Sequence, residues 1–183
     1  SLCSKYSVKI NLLLFIMSLV LVTSTSTADA VRDANRLLKI ADLGSRFETR
    51  AMDQTQKIIR TYSSIVNMSA SIALPQKIKN SIANCYAEAY SWQRFAPGIA
   101  EIFADNLSQK ELRLLINFYS NLGLSPTEID TFKTMITKAN QIEQISIEYI
   151  FRNSESCVQR DAELINKFVA NHEITNSNQI TIQ

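Results

Sequence analysis

Hydrophobic residues make up 46% of this 183-residue chain and charged residues 20%, a balance that calls for a packed core and excludes a disordered chain. The 19 basic and 17 acidic side chains leave a net charge of +2, which gives no electrostatic case for binding nucleic acid or an acidic membrane surface. Glycine and proline number three each, which argues against a turn-rich β protein and for long helices.

The first element reads as a secretory signal. Lys5 and Lys9 form a short basic region, and LLLFIMSLVLV over residues 12–22 is apolar except for Ser18. Ala28-Asp29-Ala30 fits the small-x-small cleavage rule, placing the mature N-terminus at Val31, with cleavage after Ala28 as the alternative. The other reading, a membrane anchor, needs about 20 apolar residues, more than this run supplies. No cysteine follows the run, so no lipid anchor is expected. Loss of residues 1–30 removes Lys5, Lys9 and Asp29, leaving 17 basic and 16 acidic side chains. Cys85 and Cys157 are then the only cysteines. In an oxidising compartment such a pair is a disulfide candidate; two separate buried thiols is the competing reading.

Beyond the signal the apolar spacing is helical throughout. A first helix over 29–43 carries Val31, Ala34, Leu38 and Ala41 on one stripe, with Leu37 beside it and Gly44 as its stop. A second over 45–66 buries Ala51, Ile58, Ile59, Tyr62, Ile65 and Val66. A loop follows over 67–74. Pro75 suits the first turn of a third helix reaching residue 93, with Ile78, Ile82, Cys85 and Ala89 inward and Tyr86 beside them. Pro97 opens a short helix to Asn106.

Two capping boxes come next. Ser108 with Glu111 and Ser125 with Glu128 both match Ser-x-x-Glu, in which the serine accepts from the third N–H and the glutamate reaches back. The first starts a helix with Leu112, Leu115, Phe118 and Tyr119, in which Phe118 is expected to be fully buried and Tyr119 mostly so. The second starts one long helix with Ile129, Phe132, Ile136, Ala139, Ile142, Ile145 and Tyr149. A last helix over 156–171 buries Val158, Ile165, Phe168 and Val169. The pattern predicts an all-α antiparallel bundle of about six or seven helices. It forms a single domain over 31–172, after a signal peptide over 1–30 and before a polar frayed tail over 173–183.

Chemistry is sparse. His172 is the only histidine, so a Ser–His or Cys–His nucleophile has no well-placed imidazole. One histidine and two distant cysteines do not make a zinc site. No glycine-rich phosphate loop occurs, and no cofactor, metal or catalytic residue is expected. Glu101, Asp105 and Glu111 are the only acidic cluster to consider for carboxylate hydrolysis, and Glu111 already has a capping role. Asn67-Met-Ser69 and Asn106-Leu-Ser108 match the glycosylation acceptor pattern, which matters only in a eukaryotic secretory pathway. Aromatic residues concentrate in the middle of the chain. There Tyr90 and Trp92, just before a helix break, are the candidate binding surface for an apolar ligand or partner helix.

One resemblance adds to this. Ile102-Phe103-Ala104-Asp105-Asn106-Leu107-Ser108 and Glu111-Leu112-Arg113-Leu114-Leu115-Ile116-Asn117-Phe118-Tyr119-Ser120 resemble the bacterial family called domain of unknown function 2059, over about 95–145. That family typically has an acidic, apolar helix and then a capped Leu-x-x-Leu-Ile-x-Phe-Tyr-x-Ser helix. Its usual Ser-Pro-x-Gly-Gln-Lys continuation differs here, where Asn121-Leu-Gly-Leu-Ser-Pro-Thr-Glu128 follows. The resemblance implies a bacterial periplasmic setting and a helical hairpin, and carries no catalytic residue. The expected function is a periplasmic or secreted, non-enzymatic protein that binds another envelope protein or assists its assembly, without stable membrane insertion. A carrier of a small apolar or lipidic ligand and a carboxylate-dependent hydrolase are the alternatives.

Overall fold

A computed structural model describes residues 27–180; the signal-peptide reading lies outside them, apart from the cleavage site. The protein is all-α, with no strand among the described residues. Helix α1 covers 27–40. Then follow α2 (Leu43–Ala70), α3 (Gln76–Ala89), α4 (Trp92–Asn106), α5 (Gln109–Tyr119), a 3₁₀ turn (Pro126–Glu128), α6 (Ile129–Thr137), α7 (Ala139–Asn153) and α8 (Val158–Ile180). Among the described residues no helix is long and apolar enough to cross a membrane.

These helices gather into two compact units rather than one. The first takes residues 27–43 and 96–149, the second residues 44–95 and 150–180. Both units are discontinuous in sequence.

In the first unit, α1 buries Ala34, Leu38 and Ala41 of the stripe read from the sequence together with the neighbouring Leu37, while Val31 is half-buried. Asp33 ties α1 to α5, accepting from Gln109 Nε2 at 3.3 Å and lying 3.7 Å from Arg113 Nε. Leu112, Leu114 and Ile116 bury the early turns of α5. Its end is a Schellman turn: Leu122 N–H donates to Asn117 O at 3.0 Å and Asn121 N–H to Phe118 O at 3.1 Å. Asn121 takes the left-handed conformation, φ 62°, that this turn requires.

In the second unit, Ile59, Val66, Leu74, Ile82, Tyr86, Ala89 and Cys157 form the core, with Ile165, Phe168 and Val169 packed against it. Cys85 and Cys157 are disulfide-bonded, with Cα atoms 6.1 Å apart, tying α3 to the residue that precedes α8. An aromatic group surrounds the start of α4. Phe47 lies 5.6 Å from both Trp92 and Phe95, ring centre to ring centre.

Several boundaries differ from the sequence pattern. The break after α1 falls at Asp42 (φ 53°), because a short polar side chain tolerates the left-handed region. Gly44 therefore lies inside α2 and is not a stop. Its role is close approach: a Cβ there would sit 2.8 Å from the Trp92 indole. Gly44→Ala should cost about 1–3 kcal/mol by overpacking, checked by urea unfolding followed at Trp92. Helix α2 continues to Ala70, shortening the expected loop. Pro97 lies within α4 instead of opening a helix, because the turn before it, from Trp92, is already helical.

The long helix expected after Ser125 is divided at Lys138. There the N–H donates to Met135 O at 3.0 Å, a tightened turn in place of the α-helical bond. Thr134 and Thr137 hydroxyls bond back to carbonyls of their own helix just before the break, which bends helices. Helix α8 runs through the expected frayed tail to Ile180. No Gly or Pro interrupts it, and Thr175 Oγ1 donates to Asn171 O at 2.9 Å.

Candidate functional site

Large apolar side chains are exposed on several helices, among them Met52 and Met68 on α2 and Phe151 on α7, and the α5–α6 hairpin carries a group of them that includes two adjacent aromatic rings. Phe118 is 41% exposed and Tyr119 42% exposed. The expectation that Phe118 is fully enclosed, and Tyr119 mostly so, is thereby corrected. The helical phase is not the cause. Phe118 lies four residues after buried Leu114, only about 40° around the axis. The helix ends one residue later, so the early turns are covered and the last is not. The Phe118 ring meets Tyr119 edge-on at 5.4 Å and Phe132 at 5.2 Å. Ile129 and Ile136, expected inside, are exposed on α6 at helical spacing from Phe132. Leu122, at the tip, is exposed as well. In the other unit Ile65 and Val158, also expected inside, face outward.

A capping box and an ion pair tie the hairpin together. Ser108 caps α5: its Oγ accepts from Glu111 N–H at 3.2 Å, and Glu111 Oε2 accepts from Ser108 N–H at 2.7 Å. Glu111 is 6% exposed, and both its oxygens accept from Lys138 Nζ at 2.9 Å. The bend at Lys138 lies where that ammonium meets the buried carboxylate. At the second box Glu128 Oε2 accepts from Ser125 N–H at 2.9 Å, while the Ser125 hydroxyl pairs with Thr127 at 3.0 Å. A 3₁₀ turn thus precedes α6.

Burial alone would raise the Glu111 carboxyl. The hydrogen bonds from Lys138 and Ser108 and the Lys138 charge outweigh it and hold the group below the usual carboxylate range. A lowered folded value means stability that is present above the unfolded value and lost as pH falls through the folded one. Lys138→Met should therefore cost about 1.5 kcal/mol at neutral pH, by leaving a buried carboxylate short of donors. The gap from the natural chain should shrink in acid, as read by urea unfolding with far-ultraviolet circular dichroism.

Tyr90 and Trp92, the sequence-based candidate surface, are both half-buried. Tyr90 stacks on Tyr86 at 6.3 Å and lies 6.4 Å from Phe95. The Trp92 ring lies 5.6 Å from Phe47, and its backbone N–H donates to Glu48 Oε1 at 3.3 Å. Much of each side chain is thus committed to the interior of its own unit. Glu101 and Asp105 are exposed, and Glu111 is occupied by its cap and by Lys138. His172 lies beside Phe168 and hydrogen-bonds Asn176. Among the described residues no group of three or more His, Cys, Asp or Glu side chains is placed to hold a metal.

One cluster went unread in the sequence. Asp161, in the first turn of α8, is 1% exposed, with the phenols of Tyr62 and Tyr86 against it. The available signal was its spacing. Asp161 follows Cys157 by four residues, so a buried Cys157 turns Asp161 inward too. No protein-family model, curated protein or solved structure matches this chain.

Proposed function

We propose that this chain is an exported, non-enzymatic protein-binding factor of the cell envelope, and that the α5–α6 hairpin is its docking face. The observation that supports the reading is the pair Phe118 and Tyr119. Two adjacent aromatic rings stand about 40% open on a hairpin that also turns Ile129 and Ile136 outward. Aromatic anchors of this kind dominate protein–protein contacts, because they bury much apolar area with few rotatable bonds. The near-neutral charge leaves apolar contact as the main attraction. The partner that fits is an apolar segment of another protein, laid across the exposed Phe118, Tyr119, Ile129 and Ile136 side chains of α5 and α6. Export rests on the apolar run over 12–22, the Ala28-Asp29-Ala30 site and the Cys85–Cys157 bond. The resemblance over 95–145 to domain of unknown function 2059 agrees with a periplasmic setting.

Position-specific crosslinking tests both halves. A photoreactive phenylalanine analogue at Tyr119 should yield a discrete crosslinked partner in the envelope fraction, and the same analogue at exposed Gln56 should not. Equal crosslinking from both positions, or a chain retained in the cytoplasm, would overturn the reading.

A further inference from the structure

The Asp161 cluster has no part in the docking face, yet its chemistry is unusual for a helix position. Carboxylates are almost never fully buried without a partner. Asp161 is fully enclosed, and its Oδ2 has no hydrogen-bond partner. Tyr62 faces it from α2 and Tyr86 from α3, and the positive charge of Arg160, exposed on its own helix, acts on it. Its backbone N–H donates to Cys157 O at 2.9 Å, one turn from the disulfide that ties α3 to α8. The carboxyl thus sits where three helices and the cross-link converge.

We propose that Asp161 is a pH-sensitive latch on the α2–α3–α8 core, closed around the disulfide when its carboxyl is protonated and driven to open locally when it ionises. A neutral acid is tolerated in this enclosure. A carboxylate there pays desolvation with one oxygen unpaired. Burial pushes the Asp161 carboxyl up, and hydrogen bonding from Tyr86 and Tyr62 and the Arg160 charge offset this only in part. Burial and the nearby Asp161 charge push both phenols up as well, so they stay neutral donors. A raised folded value gives stability that is full below the ordinary carboxylate value and lost as pH rises through the folded one. This is opposite in sign to Glu111. The disulfide holds α3 to α8, so opening exposes Ile59, Val66 and Ile82 without releasing the chain.

Trp92, the single tryptophan, lies in the same unit and reports its unfolding. Urea unfolding of the disulfide-intact chain should show an unfolding constant that rises by up to tenfold per pH unit. The rise should begin above the ordinary carboxylate range and stop at the folded Asp161 midpoint. In Asp161→Asn that rise should be absent. Independently of any variant, the ¹³Cγ resonance of Asp161 should titrate well above the other aspartates. Equal pH slopes in both proteins, or an Asp161 resonance titrating with the rest, would overturn the latch.

Discussion

Replacing Cys85 and Cys157 together by alanine should lower the stability of the second unit by about 4 kcal/mol. The bond spans a sequence separation of 72 residues, and restricting the unfolded chain over a loop of that length has roughly this effect. Cys157 is fully buried beside Val66, Ile82 and Tyr86, so alanine is preferred to serine there, where a hydroxyl would lack a partner. Urea unfolding followed at Trp92 should show the double variant and the reduced natural chain displaced alike. A natural chain indifferent to reductant would show that the cross-link adds nothing to this core.

Two phenylalanines make the second contrast. Phe95 is completely buried, with the rings of Phe47 and Tyr90 around it. Phe95→Ala leaves a cavity in a packed interior and should cost about 3–5 kcal/mol. Phe118 carries the same side chain in the last turn of α5, 41% exposed. Its truncation gives up part of one contact with Phe132 and opens no closed cavity, so about 1 kcal/mol is expected. The sequence pattern, which placed Phe118 fully inside, implies a cost of about 3–5 kcal/mol there instead. Thermal unfolding of the two alanine variants, run side by side, separates the assignments.

Local signals were legible wherever one short segment decides its own geometry. Ser108 with Glu111 is such a case, since a four-residue motif contains both partners of the cap. Ala34, Leu38 and Ala41 of the α1 stripe are another, because a helix periodicity marks its own buried side. Depth was less legible than direction. Phe118 points the expected way, but how far α5 is covered depends on where it stops, and Asn121 in the left-handed region stops it early. Gly44 read as a stop because its close neighbour, Trp92, is 48 residues away. The break at Lys138 inside the expected long helix was not legible, because its partner Glu111 lies 27 residues earlier. The two interleaved units follow from such long-range closures, which a single sequence does not display.

The docking role of the α5–α6 face is tested most directly by the affinity of the crosslinked partner for the natural chain and for a Phe118→Ser, Ile136→Ser variant. Phe118 is 41% and Ile136 55% exposed, so the variant should lose only about 1–2 kcal/mol and remain folded in the binding assay, which its urea unfolding curve checks. If the face is the anchor, affinity should fall roughly tenfold or more, the loss expected when a central aromatic contact is removed. A folded variant that binds the partner as tightly as the natural chain would contradict the account.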